Sequence, residues 1–210
     1  MTSLAHLRML YGTREILEAT LPYIRGDVLD FGCGNSKYKE IILRNAKSYT
    51  GIDIEPGPFV DIVGDVTDPP IEDESFDTIV SNQVIEHVRK PWKMIEHAAR
   101  ILRPGGTLII TGPFLVPYHA HPHDYFRYTE QGMQSLCEDV GLTIVHCTRY
   151  GGVSAVLGEM LKFTWASPYT KPPRYKRQML SMIEKIMRRT NKLLKPKAVY
   201  ASVLCIAQKP

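Results

Sequence analysis

The sequence has no C-x-x-C pair. Its four cysteines, Cys33, Cys137, Cys147 and Cys205, are scattered, which argues against a disulfide framework and for reduced thiols in a cytoplasmic protein. No apolar run approaches the roughly 18 residues of a membrane span. The N-terminal MTSLAHLRMLYGTREIL is interrupted by Arg8, Arg14 and Glu15 and lacks the apolar core of a signal peptide. There is no internal repeat and no Tyr-x-x-x-Lys pair of a short-chain reductase. Acids are scarce in one place: residues 171–197 hold ten Lys or Arg against Glu184 alone, whereas the remainder holds 16 basic and 21 acidic residues.

What is present suits one α/β domain over 1–210. At 210 residues and 44% hydrophobic the chain can bury one sizeable core. An amphipathic helix is predicted over 4–20. Strands are predicted at 27–31, 49–54, 60–66, 76–81, 107–111, 142–147 and 201–207, with helices at 38–46, 92–102 and 130–140, the last capped by Thr129 and stopped by Gly141. Strands alternating with helices imply right-handed crossovers and a largely parallel sheet covered on both faces. Residues 151–200 form a helical, basic insertion before the last strand.

VLDFGCG runs a strand into a tight glycine turn, with Asp53 about twenty residues after the first glycine, at the end of the second strand. Glycine lets a ligand approach the backbone, and a carboxylate at that spacing accepts from both ribose hydroxyls of an adenosine. The plainer alternatives are a ligand-free turn and a surface Asp53 capping the next turn. A dinucleotide site needs a third glycine, but Asn35-Ser36-Lys37 has none. Asp30, just before the turn, would repel phosphate and suit a cationic sulfonium amino acid.

VLDFGCG, GIDI, GDV, FDTIVSNQVIEHV and LRPGGTLIITGPF together resemble the class I S-adenosylmethionine-dependent methyltransferases over about residues 25–150. The resemblance implies a Rossmann-like seven-stranded sheet, parallel except for the last strand, and S-adenosylmethionine as cofactor. On matching positions, Asp30, Gly32 and Gly34 would hold the methionine moiety, Asp53 the ribose, Asp65 with the Val66 backbone the adenine, and Asn82 the sulfonium end. Cys33 and Ile54 would join them. The implied function is methyl transfer to an oxygen of a small-molecule or sugar- or lipid-linked acceptor. Two alternatives stand beside it: a metal-assisted enzyme acting on an RNA or quinone-type hydroxyl, and a non-catalytic nucleoside-binding partner subunit.

A hydroxyl acceptor must lose its proton, so a base is sought at 82–87 and 113–127, beside the ends of the fourth and fifth strands. Gln83, Glu86 and His87 can share one side of a turn. The run resembles the Glu-x-x-Glu-His of ubiquinone-pathway and small-RNA end methyltransferases, some of which bind a divalent cation there. Gln83 replaces the first acid, and no metal is assigned. His87 and His119 are the catalytic candidates, while His97 reads as a surface histidine. The stretch PYHAHPHDYFRYT resembles a methyltransferase subgroup acting in polysaccharide and small-molecule tailoring. By that match His119, Asp124, Tyr125 and Arg127 carry the pattern, with His121 and His123 at free positions: His119 is the base candidate, and Asp124, Tyr125 and Arg127 are placed on the substrate side, where Asp124 and Arg127 can also pair to fix the loop.

Within 175–194, Met179, Met182, Ile183, Ile186, Met187, Leu193 and Leu194 fall mostly on one helical face, with Lys and Arg on much of the rest. Such a helix packs on the domain or on a second subunit, lies on an anionic membrane, or contacts a phosphorylated acceptor. The chain is expected as a monomer or homodimer. No recognised RNA-binding module accompanies the charge, so nucleic acid is not expected. Residues 151–169, with Trp165 and Tyr169, are expected to complete an acceptor cover.

Overall fold

A computed structural model describes residues 4–120, 122–165, 172–193 and 198–210. His121, Tyr169, Leu194 and the ends of the basic stretch lie outside them, as does the side chain of Leu193. Seven strands form one sheet: β1 (Asp27–Phe31), β2 (Ser48–Asp53), β3 (Ile62–Val63), β4 (Phe76–Asn82), β5 (Leu102–Pro113), β6 (Thr143–Tyr150) and β7 (Ser202–Gln208). Their order is β3-β2-β1-β4-β5-β7-β6. The β2, β1, β4 and β5 pairings are parallel, and β7 runs antiparallel between β5 and β6. Strand order reverses between β1 and β4, which opens a crevice at their carboxyl ends, the usual ligand position in such sheets.

The apolar strings of the inner strands follow from two covered faces. Leu29, Phe31, Ile79, Leu108, Ile110, Val203 and Cys205 pack on one side. Val28, Val80, Ile109, Leu204 and Ile206 pack on the other, against Leu7, Ile16, Leu17, Ile41 and Ile42. Among the described residues six α-helices accompany the sheet: α1 (Thr13–Thr20), α2 (Lys39–Ile42), α3 (Pro91–Ile101), α4 (Glu130–Glu138), α5 (Val153–Trp165) and α6 (Arg174–Leu193). In α3, Met94, Ile95, Ala98 and Ile101 are buried at helical spacing, each large side chain contributing about 1.5–3 kcal/mol. The Thr129 side chain caps α4 by accepting from the Gly132 N–H at 3.0 Å, worth about 1 kcal/mol.

Four element boundaries differ from expectation. The N-terminal helix divides into a 3-10 turn, Leu4–Met9, and α1, with Gly12 extended between them. The third strand shrinks to Ile62–Val63, at the sheet edge where β2 is its single neighbour. The second helix keeps one turn, Lys39–Ile42. β5 begins at Leu102, pairing with Phe76 across a register shift, so Arg103-Pro-Gly-Gly106 lies within the strand.

The insertion folds as α5 and α6, packed on each other and fastened to the N-terminal segment. Thr190 donates to Ser154 at 2.9 Å, and Asn191 Nδ2 donates to the Met9 carbonyl at 2.8 Å. Arg188 pairs with Glu15 and Glu184 and lies 4.7 Å from the Tyr11 ring centre. Exposed Met182 and Ile186 show that the apolar stripe of α6 is only partly spent on packing. Among the described residues no helix is long and apolar enough to cross a membrane.

Candidate active site

Asp30, the last residue but one of β1, is only 6% exposed and accepts from the Tyr49 hydroxyl at 2.7 Å. Burial raises its carboxyl to about 6, with the Tyr49 hydrogen bond pulling the other way. Tyr49 is itself pushed well above the ordinary phenol range, by burial first and then by Asp30. Gly32 and Gly34 both take positive φ, +74° and +50°. A Cβ on Gly32 would meet Val84 at 2.6 Å, whereas one on Gly34 would meet nothing within 4 Å. Only glycine fits the first position, and the second opens onto free space.

The Gly34 N–H donates to Asp53 Oδ2 at 2.8 Å, tying the turn to the end of β2. Ile54, Phe59 and Val63 stand exposed nearby in the chain. Asp65 accepts from the Thr67 N–H and hydroxyl, both at 2.8 Å, and Val66 is buried in the core. The Cys33 thiol is turned toward Gly51 and the Phe59 carbonyl, 3.8 Å away, and burial pushes it up to about 11. Cys33 thus presents backbone, not sulfur, at the turn. Asn82 ends β4 with Oδ1 3.5 Å from the Thr111 hydroxyl.

The second group gathers beside the ends of β4 and β5. Glu86 is fully buried, and neither carboxylate oxygen has a hydrogen-bond partner. His87 Nε2 lies 3.8 Å and His119 Nε2 3.7 Å from the same Oε1. The two imidazoles meet edge to face, with ring centres 5.2 Å apart. The His119 pKa is raised, chiefly by Glu86 and against the lowering effect of burial. Gln83 does not join them. Its positive φ of 56° turns the amide to Thr111 Oγ1 and the Tyr150 hydroxyl, each at 3.3 Å. That corrects the placement of Gln83 on one side with Glu86 and His87.

The loop between β5 and α4 is fixed by ion pairing and backbone bonds. Arg127 forks onto both oxygens of Asp124 and also donates to the Val116 and Pro117 carbonyls. Arg127 holds the Asp124 carboxyl down at about 2. Asp124 Oδ2 also accepts from the His119 N–H at 2.9 Å, and its side chain has no exposed surface. Asp124 is therefore closed to a substrate, contrary to the role expected of it, and Arg127 is largely committed to the loop. Tyr125 keeps an exposed ring while its N–H donates to the Glu86 carbonyl at 2.7 Å. Phe163 of α5 reaches the His119 ring, centres 5.9 Å apart, so the insertion meets the cluster.

The sequence did not single out Tyr49 or Phe163, and it offered Glu86 as a metal ligand or as a residue that packs the active-site turn. Tyr49 carried a faint signal, since alternation along β2 sets it beside β1. Nothing local marked Phe163.

A methyltransferase-domain family model matches residues 29–110. A Mycolicibacterium smegmatis protein named as a probable S-adenosylmethionine-dependent methyltransferase is 33% identical over 97 residues, 41% of this chain and 38% of that one. The 27-O-demethylrifamycin SV methyltransferase of Amycolatopsis mediterranei is 30% identical over 121 residues, 48% of this chain and 44% of that one. The chain thus spans less than half the length of these two relatives. Among solved structures, a SAM-dependent methyltransferase from Archaeoglobus fulgidus superposes with a TM-score of 0.62 at 17% identity, covering 94% of this chain and 95% of that one. Phosphoethanolamine N-methyltransferase 2 of Haemonchus contortus, in complex with S-adenosyl-L-methionine, gives 0.63 at 16% identity, over 95% of this chain and 53% of that one. Sheet order, glycine turn and family match agree: residues 29–110 match the methyltransferase-domain family, and the fold is that of the S-adenosylmethionine-dependent methyltransferase it superposes on.

Proposed function

We propose that the chain methylates an oxygen of a small-molecule or sugar-containing acceptor held between the glycine turn, the Glu86 cluster and α5. The cofactor suits the first group of residues. Burial raises Asp30 to about 6, a cationic amino acid end supplies the counter-charge that ionises it, and Gly34 faces open space beside Asp53. In this reading Asp30, Gly32 and Gly34 hold the methionine end and Asp53 the ribose. Asp65, the Val66 backbone and Ile54 receive the adenine, Asn82 lies by the sulfur, and Cys33 contributes backbone alone. S-adenosylmethionine supplies a methyl carbon already made electrophilic by its sulfonium sulfur.

Aligning the acceptor in line with that carbon and excluding water is worth roughly 7–11 kcal/mol. Tyr125 and Phe163 line the acceptor side, while Asp124 and Arg127 hold the loop that carries His119. The acceptor O–H bond breaks at the Glu86–His87–His119 cluster and its proton leaves through His119. The oxygen bonds to the methyl carbon, and the carbon–sulfur bond breaks with its electron pair staying on sulfur, leaving S-adenosylhomocysteine. The observation that carries this reading is two imidazoles on one buried carboxylate beside the ends of β4 and β5. An anionic contact is assigned to α6, where Arg174, Arg177, Gln178, Ser181, Met182 and Lys185 line an open groove of about 450 Å³. It suits a phosphorylated part of the acceptor or an anionic surface.

His119→Ala is expected to lower turnover by about 10²–10⁴-fold with S-adenosylhomocysteine affinity unchanged. The acceptor is found first, by transferring labelled methyl groups to a metabolite extract. Full turnover in the variant would leave His119 structural, and no calorimetric binding of S-adenosylhomocysteine to the parent chain would sink the reading.

A further inference from the structure

Helices α5 and α6 leave two apolar stripes in water, and both look the same way. Val153, Leu157 and Met160 follow one another at helical spacing on α5, as do Tyr175, Met182 and Ile186 on α6, and each is 37% to 64% exposed. The helices run antiparallel, since Ser154 meets Thr190 near one end and the Trp165 carbonyl accepts from Lys176 at the other. Ser154 and Gly158 face Thr190 and Met187 along the seam. Val156 and Phe163 of α5, and Arg188 and Asn191 of α6, are turned to the rest of the domain. Seam and domain take two sides of each helix, and both stripes are left on the common outer side. Arg174, Lys185 and Arg189 run along its edge on α6, exposed and, among the described residues, without an acid partner. The two acids of these helices are engaged elsewhere, Glu159 with Lys162 and Glu184 with Arg188.

We propose that the outer side of α5 and α6 docks on an anionic lipid surface, the apolar stripes entering the edge of the acyl layer and the basic edge meeting the headgroups. A joined apolar face rimmed by cations marks a contact site. A soluble phosphorylated ligand answers the cations but leaves six apolar side chains in water. A second copy, joined about a two-fold axis, covers those side chains with the same face, which offers the cations no free acid. An anionic bilayer supplies both an apolar layer and negative charge. The pair lies on the surface, since neither helix is long and apolar enough to cross it. This deepens the anionic contact assigned to α6 above and rests on it, not on the transfer step. Because α5 also carries Phe163 to the His119 ring, docking sets the acceptor side of the crevice next to the lipid.

The test floats the full chain with vesicles of phosphatidylcholine alone and of phosphatidylcholine mixed with phosphatidylglycerol. Binding is expected to the mixed vesicles only, and to fall as salt is raised. Two double variants, Leu157→Gln with Ile186→Gln and Lys185→Gln with Arg189→Gln, are checked for folding by thermal melt. Each is expected to weaken vesicle binding by roughly 10–30-fold. The lipid and salt comparisons need no variant, so they decide the matter if a variant fails to fold. No binding to mixed vesicles, or equal binding to both kinds, overturns the docking. So does binding that the apolar variant leaves unchanged and glycerol phosphate competes away, which makes α6 a site for a soluble phosphorylated ligand. A dimer in sedimentation equilibrium that the apolar variant dissociates, in place of vesicle binding, makes the face a contact between copies and overturns it too. S-adenosylhomocysteine is titrated into the parent chain: binding of it without vesicle binding sinks the docking alone, and vesicle binding without it sinks the methyltransferase reading instead.

Discussion

The two ends of β1 and β4 treat their acids in opposite ways. At the amino ends, Asp27 and Asp77 share Arg103 at 3.1 and 2.8 Å. Asp27 also accepts from Ser48 at 2.9 Å, and Asp77 from the Asp27 N–H at 2.8 Å. The carboxyl of Asp27 is lowered by the Ser48 and Arg103 hydrogen bonds. At the carboxyl ends the acids are more deeply buried and less well partnered: Asp30 has one phenol, and Glu86 has nothing within hydrogen-bond reach. Burial without partners is an unfavourable arrangement that a fold keeps only where something else fills it. The amino ends spend charge on holding the sheet, and the carboxyl ends keep charge for ligands.

The largest test of this contrast is Asp53→Ala. Asp53 is bonded to the glycine turn but leaves acceptor capacity toward the crevice. Losing the ribose contact is expected to cost about 2–3 kcal/mol of S-adenosylhomocysteine affinity, roughly 30–150-fold by calorimetry. Unchanged affinity with a fallen melting temperature would put Asp53 with the structural acids.

Asp30 gives a pH test of the next size. Its folded value, about 6, lies above the ordinary 3.8. Between those values the folded chain holds a proton that the unfolded chain has lost, so stability without cofactor falls as pH rises through that window. A cationic ligand favours ionised Asp30 and displaces the proton. Affinity for S-adenosylhomocysteine is therefore expected to tighten by roughly tenfold from pH 5 to pH 7, with proton release in calorimetry. Asp30→Asn should flatten the profile, and a flat profile in the parent chain would remove Asp30 from the cofactor site.

The contrast also marks how far the sequence carried. The glycine turn, Asp53 and the Thr129 cap were legible because each is local: a strand end, a tight turn, a side chain bonding three residues on. The mostly parallel sheet followed from strands alternating with helices, and its antiparallel last strand from the family resemblance. The Glu86 cluster was half legible, since both histidines were candidates but their meeting on one buried carboxylate joins residues 33 apart. Phe163 reaches His119 across 44 positions, and Asn191 reaches Met9 across 182, contacts that no window of sequence displays. Gln83 was misplaced because a left-handed residue reverses the side that regular turn spacing assigns. The Asp124–Arg127 pair was legible at three residues' spacing, but the His119 N–H that closes Asp124 off from a substrate was not.

Arg103→Met carries the comparison to the amino ends. It leaves Asp27 and Asp77 without their shared cation, but both acids are partly exposed and retain Ser48 and backbone donors. A small loss of stability in denaturant unfolding is expected, with S-adenosylhomocysteine affinity unchanged. A matching loss of affinity would show that the two ends are coupled through β1 and β4.

Glu86→Gln is the smallest and the most pointed, because its sign runs against ordinary expectation. Changing a deeply buried polar residue in a packed site commonly lowers stability. Here the carboxylate faces two Nε2 lone pairs, and an amide of the same shape brings N–H donors into that gap. The variant is expected to match the parent or exceed it by up to about 1 kcal/mol in denaturant unfolding, while turnover falls. A clear loss of stability would mean that Glu86 holds the turn as Asp27 holds its end of the sheet, and the contrast between the two ends would then rest on Asp30 alone.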